Sequence, residues 1–357
     1  MRVYTPVNVC DALIKRLDFI FDRYEHIYIS ISGGKDSTLL FNIAYDEAVK
    51  RGRMLHAFFL DQEAEYAATI EIVKGIMERP ATIPHWYQVP IRMTNATSYE
   101  DEWLYAWGPG ESWMRAKDPI AVHAIDGDYP QRFYPFFDWH ERTLDPATTC
   151  SLVGLRSEES LNRYRAVIKN PALPGIYWST KAYVTKFYPI YDWSFDDIFY
   201  HFYHHKITYN RIYDYLHIKD KAEQITKMRV SNLIHEKAFR SLTTLQEFEP
   251  ETYNRLIERL KGVHTAALYA NEATMFNTHT LPPAYKTWRA YRDFLLETVP
   301  TQHREKFAKR FAGQRMTEQI ARGQCRQLLL NDWENNLPVT DTSAHTIDVM
   351  EKWKALL

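Results

Sequence analysis

Apolar positions recur along this chain with two different periods. Over residues 7–24, Val9, Leu13, Leu17, Ile20 and Phe21 fall at helical spacing and predict an amphipathic helix. His26-Ile27-Tyr28-Ile29-Ser30-Ile31 is apolar and rich in β-formers, and reads as a strand. From Thr38 to about Arg51 the helical period returns through Leu39, Leu40, Ile43 and Ala44. Residues 54–60 read as a second buried strand ending at Asp61, residues 64–77 as the next helix, and residues 84–89 as a third strand. Strand alternating with helix over 26–90 predicts an α/β fold, a parallel sheet with helices on both faces.

The alternation lapses from Thr94 to Trp139, which reads as an aromatic-rich insertion over the strand ends. Its tryptophans, Trp103, Trp107, Trp113 and Trp139, either wall a substrate pocket or cover a side core. Arg115, Lys117 and His123 are candidates there without a role. The pattern resumes with a strand-like run at 149–156 and a helix start at Ser157, then a last strand and turn at 187–194. A helix follows over 195–204, capped by Ser194. Beyond residue 220 helical periods appear at 228–246, 250–261, 283–297, 301–311, 314–330 and 345–356. The expected organisation is an α/β domain over 1–219 and a helical region over 220–357, with a hinge at 271–283.

Composition narrows this only a little. In 357 residues, 44 Lys+Arg stand against 45 Asp+Glu, so bulk charge names no partner. A local exception is 301–330, where Arg304, Lys306, Lys309, Arg310, Arg315, Arg322 and Arg326 face only Glu305 and Glu318. Such helices either track a nucleic acid or partner protein or are simply solvated faces. Cys10, Cys150 and Cys325 are too few and too far apart for a disulfide framework, which suits a reducing, cytoplasmic setting. The N-terminus has no signal-peptide apolar core, and no 18-residue apolar run predicts a membrane span. His201, His204 and His205 have helical spacing, but nothing obvious completes a zinc site, so an aromatic-rich helix surface is expected.

The candidate chemistry sits where the first strand empties into Ser32-Gly33-Gly34-Lys35-Asp36-Ser37 at a helix start. Backbone N–H groups there point at an anion, and the helix dipole adds about half a positive charge. Glycine lets the backbone approach phosphate oxygens closely. Lys35 supplies a cation, and Ser32, Ser37 and Thr38 supply hydroxyls. The four-residue spacer of the Walker loop is missing. Asp61 ends the second strand on the same edge, where ligands of such sheets bind. It is either a partner for a ribose hydroxyl or Mg²⁺, or an ordinary carboxylate at a helix start.

The loop resembles the PP-loop, Ser-Gly-Gly-x-Asp-Ser, of ATP pyrophosphatases in the adenine nucleotide alpha-hydrolase-like superfamily. Gly154, Arg156, Glu159, Ser160 and Arg163 match the Gly-x-Arg-x-x-Glu-Ser-x-x-Arg element of the phosphoadenosine phosphosulfate (PAPS) reductase family. Pro189, Ile190 and Trp193, and then Tyr209-Asn210-Arg211-Ile212-Tyr213-Asp214, are similar to two later elements. Met228-Arg229-Val230-Ser231 and Phe248–Tyr253 are similar to the immunoglobulin-binding regulator A subgroup.

This resemblance implies a nucleotide site built from Ser30, Ser32, Gly33, Gly34, Lys35, Asp36, Ser37, Thr38, Asp61, Gly154 and Arg156. It implies catalysis by Lys35, Asp36 and Arg156, and Mg²⁺ on Asp36 and Asp61. Arg156, Glu159, Ser160 and Arg163 would take an anionic substrate, the two arginines as planar forks. The plain alternative for Arg163 is a surface ion pair. Two departures matter. The C-terminal Glu-Cys-Gly-Leu-His of true PAPS reductases is absent, leaving Cys325, whose cationic neighbours would lower its pKa. Arg229 and Ser231 stand where related iron–sulfur enzymes carry cysteines, so no iron–sulfur cluster is expected.

Because the intact Gly-Gly-Lys-Asp-Ser form is kept by ATP-cleaving relatives, the first expectation is ATP cleavage between the α and β phosphates. That reaction would adenylate an unknown acceptor and release pyrophosphate. The alternatives are PAPS reduction through Cys325 and an external thiol, or a nucleotide-sensing regulatory or nucleic-acid-associated protein without turnover.

Overall fold

The computed structural model of the protein describes residues 6–95, 102–168, 171–220, 239–264, 280–314 and 316–333, with positions 233, 267, 335, 337 and 339. Of the expected features, residues 228–232 and 234–238, most of the 271–283 hinge, Arg315 and the 345–356 helix lie outside the described residues. The chain divides into two compact units, one of residues 1–91 with 105–232 and one of residues 92–104 with 233–357.

The first unit is an α/β sheet. Its strands are β1 (His26–Ser30), β2 (Leu55–Leu60), β3 (Thr82–Tyr87), β6 (Thr149–Leu152), β7 (Ser179–Thr180) and β8 (Thr185–Phe187), in the order β3-β2-β1-β6-β8-β7. Every neighbouring pair is parallel except β7 with β8. A separate two-stranded ribbon is formed by β4 (Ile91–Thr94) and β5 (Trp103–Ala106).

Register decides what each face of the sheet carries. Ile29 pairs with both Ala57 and Leu152, while Tyr28 pairs with His56. One face therefore presents Ile27, Ile29, Ala57, Phe59 and Trp86. They share an apolar core with Leu13, Leu17 and Ile20 of α1 (Val9–Phe21), Leu39, Leu40 and Ile43 of α2 (Lys35–Lys50), and Ile72 and Val73 of α3 (Ala67–Met77). Burying each such leucine or isoleucine stabilises the fold by about 1.5–3 kcal/mol. The other face carries Tyr28, His56, Phe58, His85 and Tyr87, covered by α4 (Phe133–Glu141) through ring contacts with Phe136, Phe137 and His140.

Several boundaries differ from expectation for local reasons. Helix α2 starts at Lys35 rather than Thr38, with Gly34 as its extended N-cap. Its first turn is polar, so hydrophobic periodicity does not register it. β6 stops at Leu152 instead of reaching Arg156, because the chain must bring Gly154 against the Asp36–Ser37 peptide. A Cβ on Gly154 would lie 2.9 Å from the Ser37 nitrogen. Helix α4 arises inside the supposed insertion, and none of its aromatic residues has the period of a half-buried strand.

After α5 (Leu161–Ile168), α6 (Phe195–His205) begins at Ser194, which forms a capping box with Asp197. α7 (Ile212–Asp220) follows. In the second unit the described helices are α8 (Phe239–Phe248), α9 (Pro250–Arg259), α10 (Trp288–Thr298), α11 (Thr301–Ala312) and α12 (Glu318–Leu329). Thr287 and Thr317 cap α10 and α12 and set their starts a few residues later than periodicity suggests. Val299, Phe307, Phe311, Leu328 and Trp333 make a small core there. No helix among the described residues is long and apolar enough to cross a membrane.

Candidate active site

The turn between β1 and α2 is held by more than its own hydrogen bonds. Gly33 has φ +65°, and a Cβ on it would come within 2.6 Å of Thr69 Cγ2, so only glycine fits. Ser32 Oγ accepts the Gly34 N–H (3.3 Å) and contacts Ser37 Oγ (3.0 Å), while Ser37 Oγ donates to the Gly34 carbonyl (3.2 Å). The 209–214 segment clamps the turn from outside. Asn210 Nδ2 donates to the Gly33 carbonyl (3.3 Å) and to Thr69 Oγ1 (2.9 Å), and Tyr213 Oη accepts the Lys35 N–H at 3.1 Å. Burial lifts the Tyr213 hydroxyl above the ordinary tyrosine range, so it stays protonated. The amides of Asp36 and Ser37 lie in the first turn of α2, where no carbonyl of that helix reaches them.

Next to the turn, six charged side chains of alternating sign form a chain. Arg163 contacts Glu159, Glu159 lies 3.9 Å from Lys35 Nζ, and Lys35 Nζ donates to Asp36 at 2.9 Å. Asp36 then accepts from Arg156 Nε at 2.5 Å, and Arg156 Nη1 donates to Glu158 at 2.9 Å. Glu158 also accepts the Phe195 N–H at the start of α6, and the Trp193 carbonyl accepts from Arg156 Nη1. Lys35 is 1% exposed and Arg156 fully buried, so neither charge would be tolerable alone. Arg156 Nη2 has no hydrogen-bond partner among the described residues.

A cavity of about 300 Å³ opens on this arrangement. Its polar side consists of Ser30, Ser32, Gly34, Lys35, Asp36, Ser37, Gly154, Glu159 and Arg163, and its apolar side of Ile31, Phe133, Phe137, Val153 and Tyr213. Nine of the residues proposed from sequence thus meet at one cavity. The others do not line it. Gly33 shapes the turn from behind. Thr38 is buried, with its hydroxyl unpartnered among the described residues. Arg156 acts from beneath, through Asp36. Ser160 Oγ accepts the Arg163 N–H and caps α5.

Asp61 is fully buried and its oxygens are consumed by the protein. They accept from Trp86 Nε1 (2.9 Å), Gln88 Nε2 (2.9 Å), the Glu63 N–H (2.9 Å) and Arg115 Nη2 (2.6 and 2.5 Å). Asp36 is likewise held by two cations. Asp36 lines the cavity and Asp61 does not, and no cluster of three metal-ligating side chains exists among the described residues. The two residues expected to hold Mg²⁺ therefore do not meet at this cavity.

Trp103, Trp107, Trp113 and Trp139 do not line the cavity. Trp107 donates from Nε1 to the Asp61 carbonyl and stacks edge-on with Trp113, while Trp139 packs on Phe136 and Tyr129, so these three build side cores. The aromatic wall comes instead from Phe133 and Phe137, which sequence reasoning passed over because α4 has no separate motif. Tyr213 and Asn210 were visible only as part of a matched segment.

The expected lowering of the Cys325 pKa is reversed by burial. Cys325 is buried, its Sγ lies 3.6 Å from the Trp288 carbonyl, and burial pushes its pKa up to about 12 against the opposing field of Arg292. Cationic neighbours therefore do not activate it. The basic residues of 301–330 are partly committed as well. Arg304 donates to the Glu297 and Val299 carbonyls and Arg310 to those of Asp332 and Trp333, while Lys306 pairs with Glu102. His201 meets Trp193 edge-on and stacks on His205, and His204 stacks on Tyr200.

Comparison with known proteins places this geometry in context. The model of the phosphoadenosine phosphosulfate reductase domain matches residues 26–241, and a domain of unknown function (DUF3440) matches residues 223–343. The uncharacterized protein YbdN of Escherichia coli (strain K12) is 25% identical over 333 residues, covering 87% of this chain and 80% of that protein. Among solved structures, Candida glabrata FMN adenylyltransferase in complex with FMN and the ATP analog AMPCPP aligns at 13% identity, TM-score 0.37. That alignment covers 60% of this chain and 65% of the adenylyltransferase, just under two thirds of its length. The Candida auris PAPS reductase phosphate complex aligns at 10% identity and TM-score 0.30, over 59% of this chain and 85% of that one.

Proposed function

Because the chain belongs to the phosphoadenosine phosphosulfate reductase domain family, within the PP-loop superfamily, we propose that it binds ATP and cleaves it between the α and β phosphates. The observation that carries this reading is the Gly33–Gly34 turn feeding the start of α2 beside Lys35, on a cavity with an aromatic wall. First-turn amides and the Ser32 and Ser37 hydroxyls suit the leaving pyrophosphate, and Lys35 with Arg163 suits its charge. Phe133 and Phe137 suit the planar base.

An acceptor oxygen attacks the α-phosphorus. The bond from that phosphorus to the bridging oxygen breaks, and its electron pair leaves with pyrophosphate. The acceptor's proton passes to solvent. A magnesium ion carried on the phosphates belongs to the substrate, and no step here is assigned to it. Burial raises the pKa of Cys10, Cys150 and Cys325 alike, which favours the adenylation reading over the thiol-dependent alternative.

The test follows pyrophosphate release from ATP across candidate acceptor classes, for wild type and Lys35→Ala. We expect the variant to lose at least about a hundredfold in rate. Equal rates in the two proteins would reject the assignment, and so would ATP binding of equal affinity by calorimetry.

A further inference from the structure

Glu159 occupies the position where a ligand's charge is needed. Its carboxylate is only 3% exposed, lines the cavity, and stands between Lys35 Nζ and the Arg163 guanidinium, two cations that line the same cavity. Lys35 is further neutralised by Asp36, which is itself fixed by Arg156. The charges of the cavity are thus balanced within the chain, and an incoming anion competes with a carboxylate already in place.

Resting on the reading of this cavity as a polyphosphate site, we infer that Glu159 is a charge-selective gate. It holds the place between Lys35 and Arg163 until a group bearing two or more negative charges displaces it. Exchanging a carboxylate for a monoanion gains no Coulombic attraction and sacrifices formed ion pairs. A polyanion meets the same two cations with at least twice the charge, in surroundings where screening by water is weak. The location suits such an exchange. Glu159 ends the short 3₁₀ turn Ser157–Glu159, and the following residue, Ser160, is extended before α5 begins. Rotation about the side-chain bonds of Glu159 therefore frees the cations without disturbing β6 or α2. Its role is then to determine specificity, rejecting singly charged ligands that share the rest of the nucleotide's shape.

The experiment is calorimetric titration of wild type and Glu159→Gln with inorganic pyrophosphate and with methanesulfonate, a monoanion. We expect pyrophosphate to bind the variant at least tenfold tighter, and methanesulfonate to bind only the variant. If wild type binds pyrophosphate and the variant binds it no tighter, Glu159 is a fixed ion-pair partner and the gate alone is wrong. If neither protein binds pyrophosphate, the polyphosphate reading falls and the gate with it. A second measurement uses wild type only. Carbodiimide labelling of Glu159, read by peptide mass, should rise severalfold at saturating pyrophosphate as the carboxylate leaves its cations, and unchanged or reduced labelling overturns the gate.

Discussion

Tyr213 Oη accepts the backbone N–H of Lys35 across 3.1 Å, although 178 positions separate the two residues. The first turn of α2 is thus braced by a helix from the far end of the α/β unit. Removing the hydroxyl in Tyr213→Phe leaves a buried amide without its partner. We expect a loss of about 1–3 kcal/mol of stability, measured by denaturant unfolding. A change below a few tenths would mean that the loop holds its shape unaided.

Gly154 and Gly75 make opposite predictions from the same substitution. A Cβ at Gly154 would press on the Asp36–Ser37 peptide, at 2.9 Å from the Ser37 nitrogen and 3.0 Å from the Asp36 carbonyl carbon. Gly154→Ala should therefore cost about 1–3 kcal/mol and weaken ATP binding at least tenfold, because either the turn or β6 must move. Gly75, inside α3, faces open space. Gly75→Ala should raise stability by about 0.5–1 kcal/mol and leave binding alone. Thermal unfolding and calorimetry on both variants check this contrast.

Asp61→Asn discriminates between a ligand and a keystone. The substitution leaves Arg115 without its buried counter-charge, and we expect a loss of about 3–5 kcal/mol in unfolding free energy. ATP affinity per folded molecule should stay within about twofold, since Asp61 does not line the cavity. A selective loss of affinity with stability retained would restore the ribose or metal role.

Acid should destabilise this protein through one face of its sheet. His56, His85 and His140 are each pushed down to about 4, chiefly by burial and secondarily by one another. His56 Nδ1 and His85 Nε2 lie 2.9 Å apart, Tyr28 stacks on His56, and His140 Nε2 is buried without a partner among the described residues. The folded protein keeps these rings neutral, whereas the unfolded chain protonates them near pH 6.5. Their contribution is fully present above that pH and is lost as pH falls from about 6.5 towards 4. The slope is roughly 1.4 kcal/mol per pH unit for each histidine that takes up its proton only on unfolding. Denaturant titrations at pH 7, 6 and 5 measure it, and equal unfolding free energies at all three would refute the assignment.

The loop and its flanks were readable because they are local. β1 is a contiguous apolar run, the Ser32–Ser37 chemistry lies within six residues, and the Gly154–Arg163 element within ten. Three residues at the start of α2 escaped because a polar first turn has no hydrophobic period, whatever its amides do. Cys325 shows the opposite failure. Arg322 and Arg326 next to it in sequence suggest activation, yet burial in the helical unit dominates and raises its pKa.

Sequence alone therefore determined the class of fold, the turn that can receive an anion, and the set of charges near it, since each depends on neighbours within one or two turns of chain. Tertiary structure alone decided how those charges are spent. Asp61 is consumed by Trp86, Gln88 and Arg115, Glu159 stands between Lys35 and Arg163, and Phe133 and Phe137 form the cavity's wall. A side chain's charge is written in the sequence, but its partner depends on which strands pair and which helix covers them.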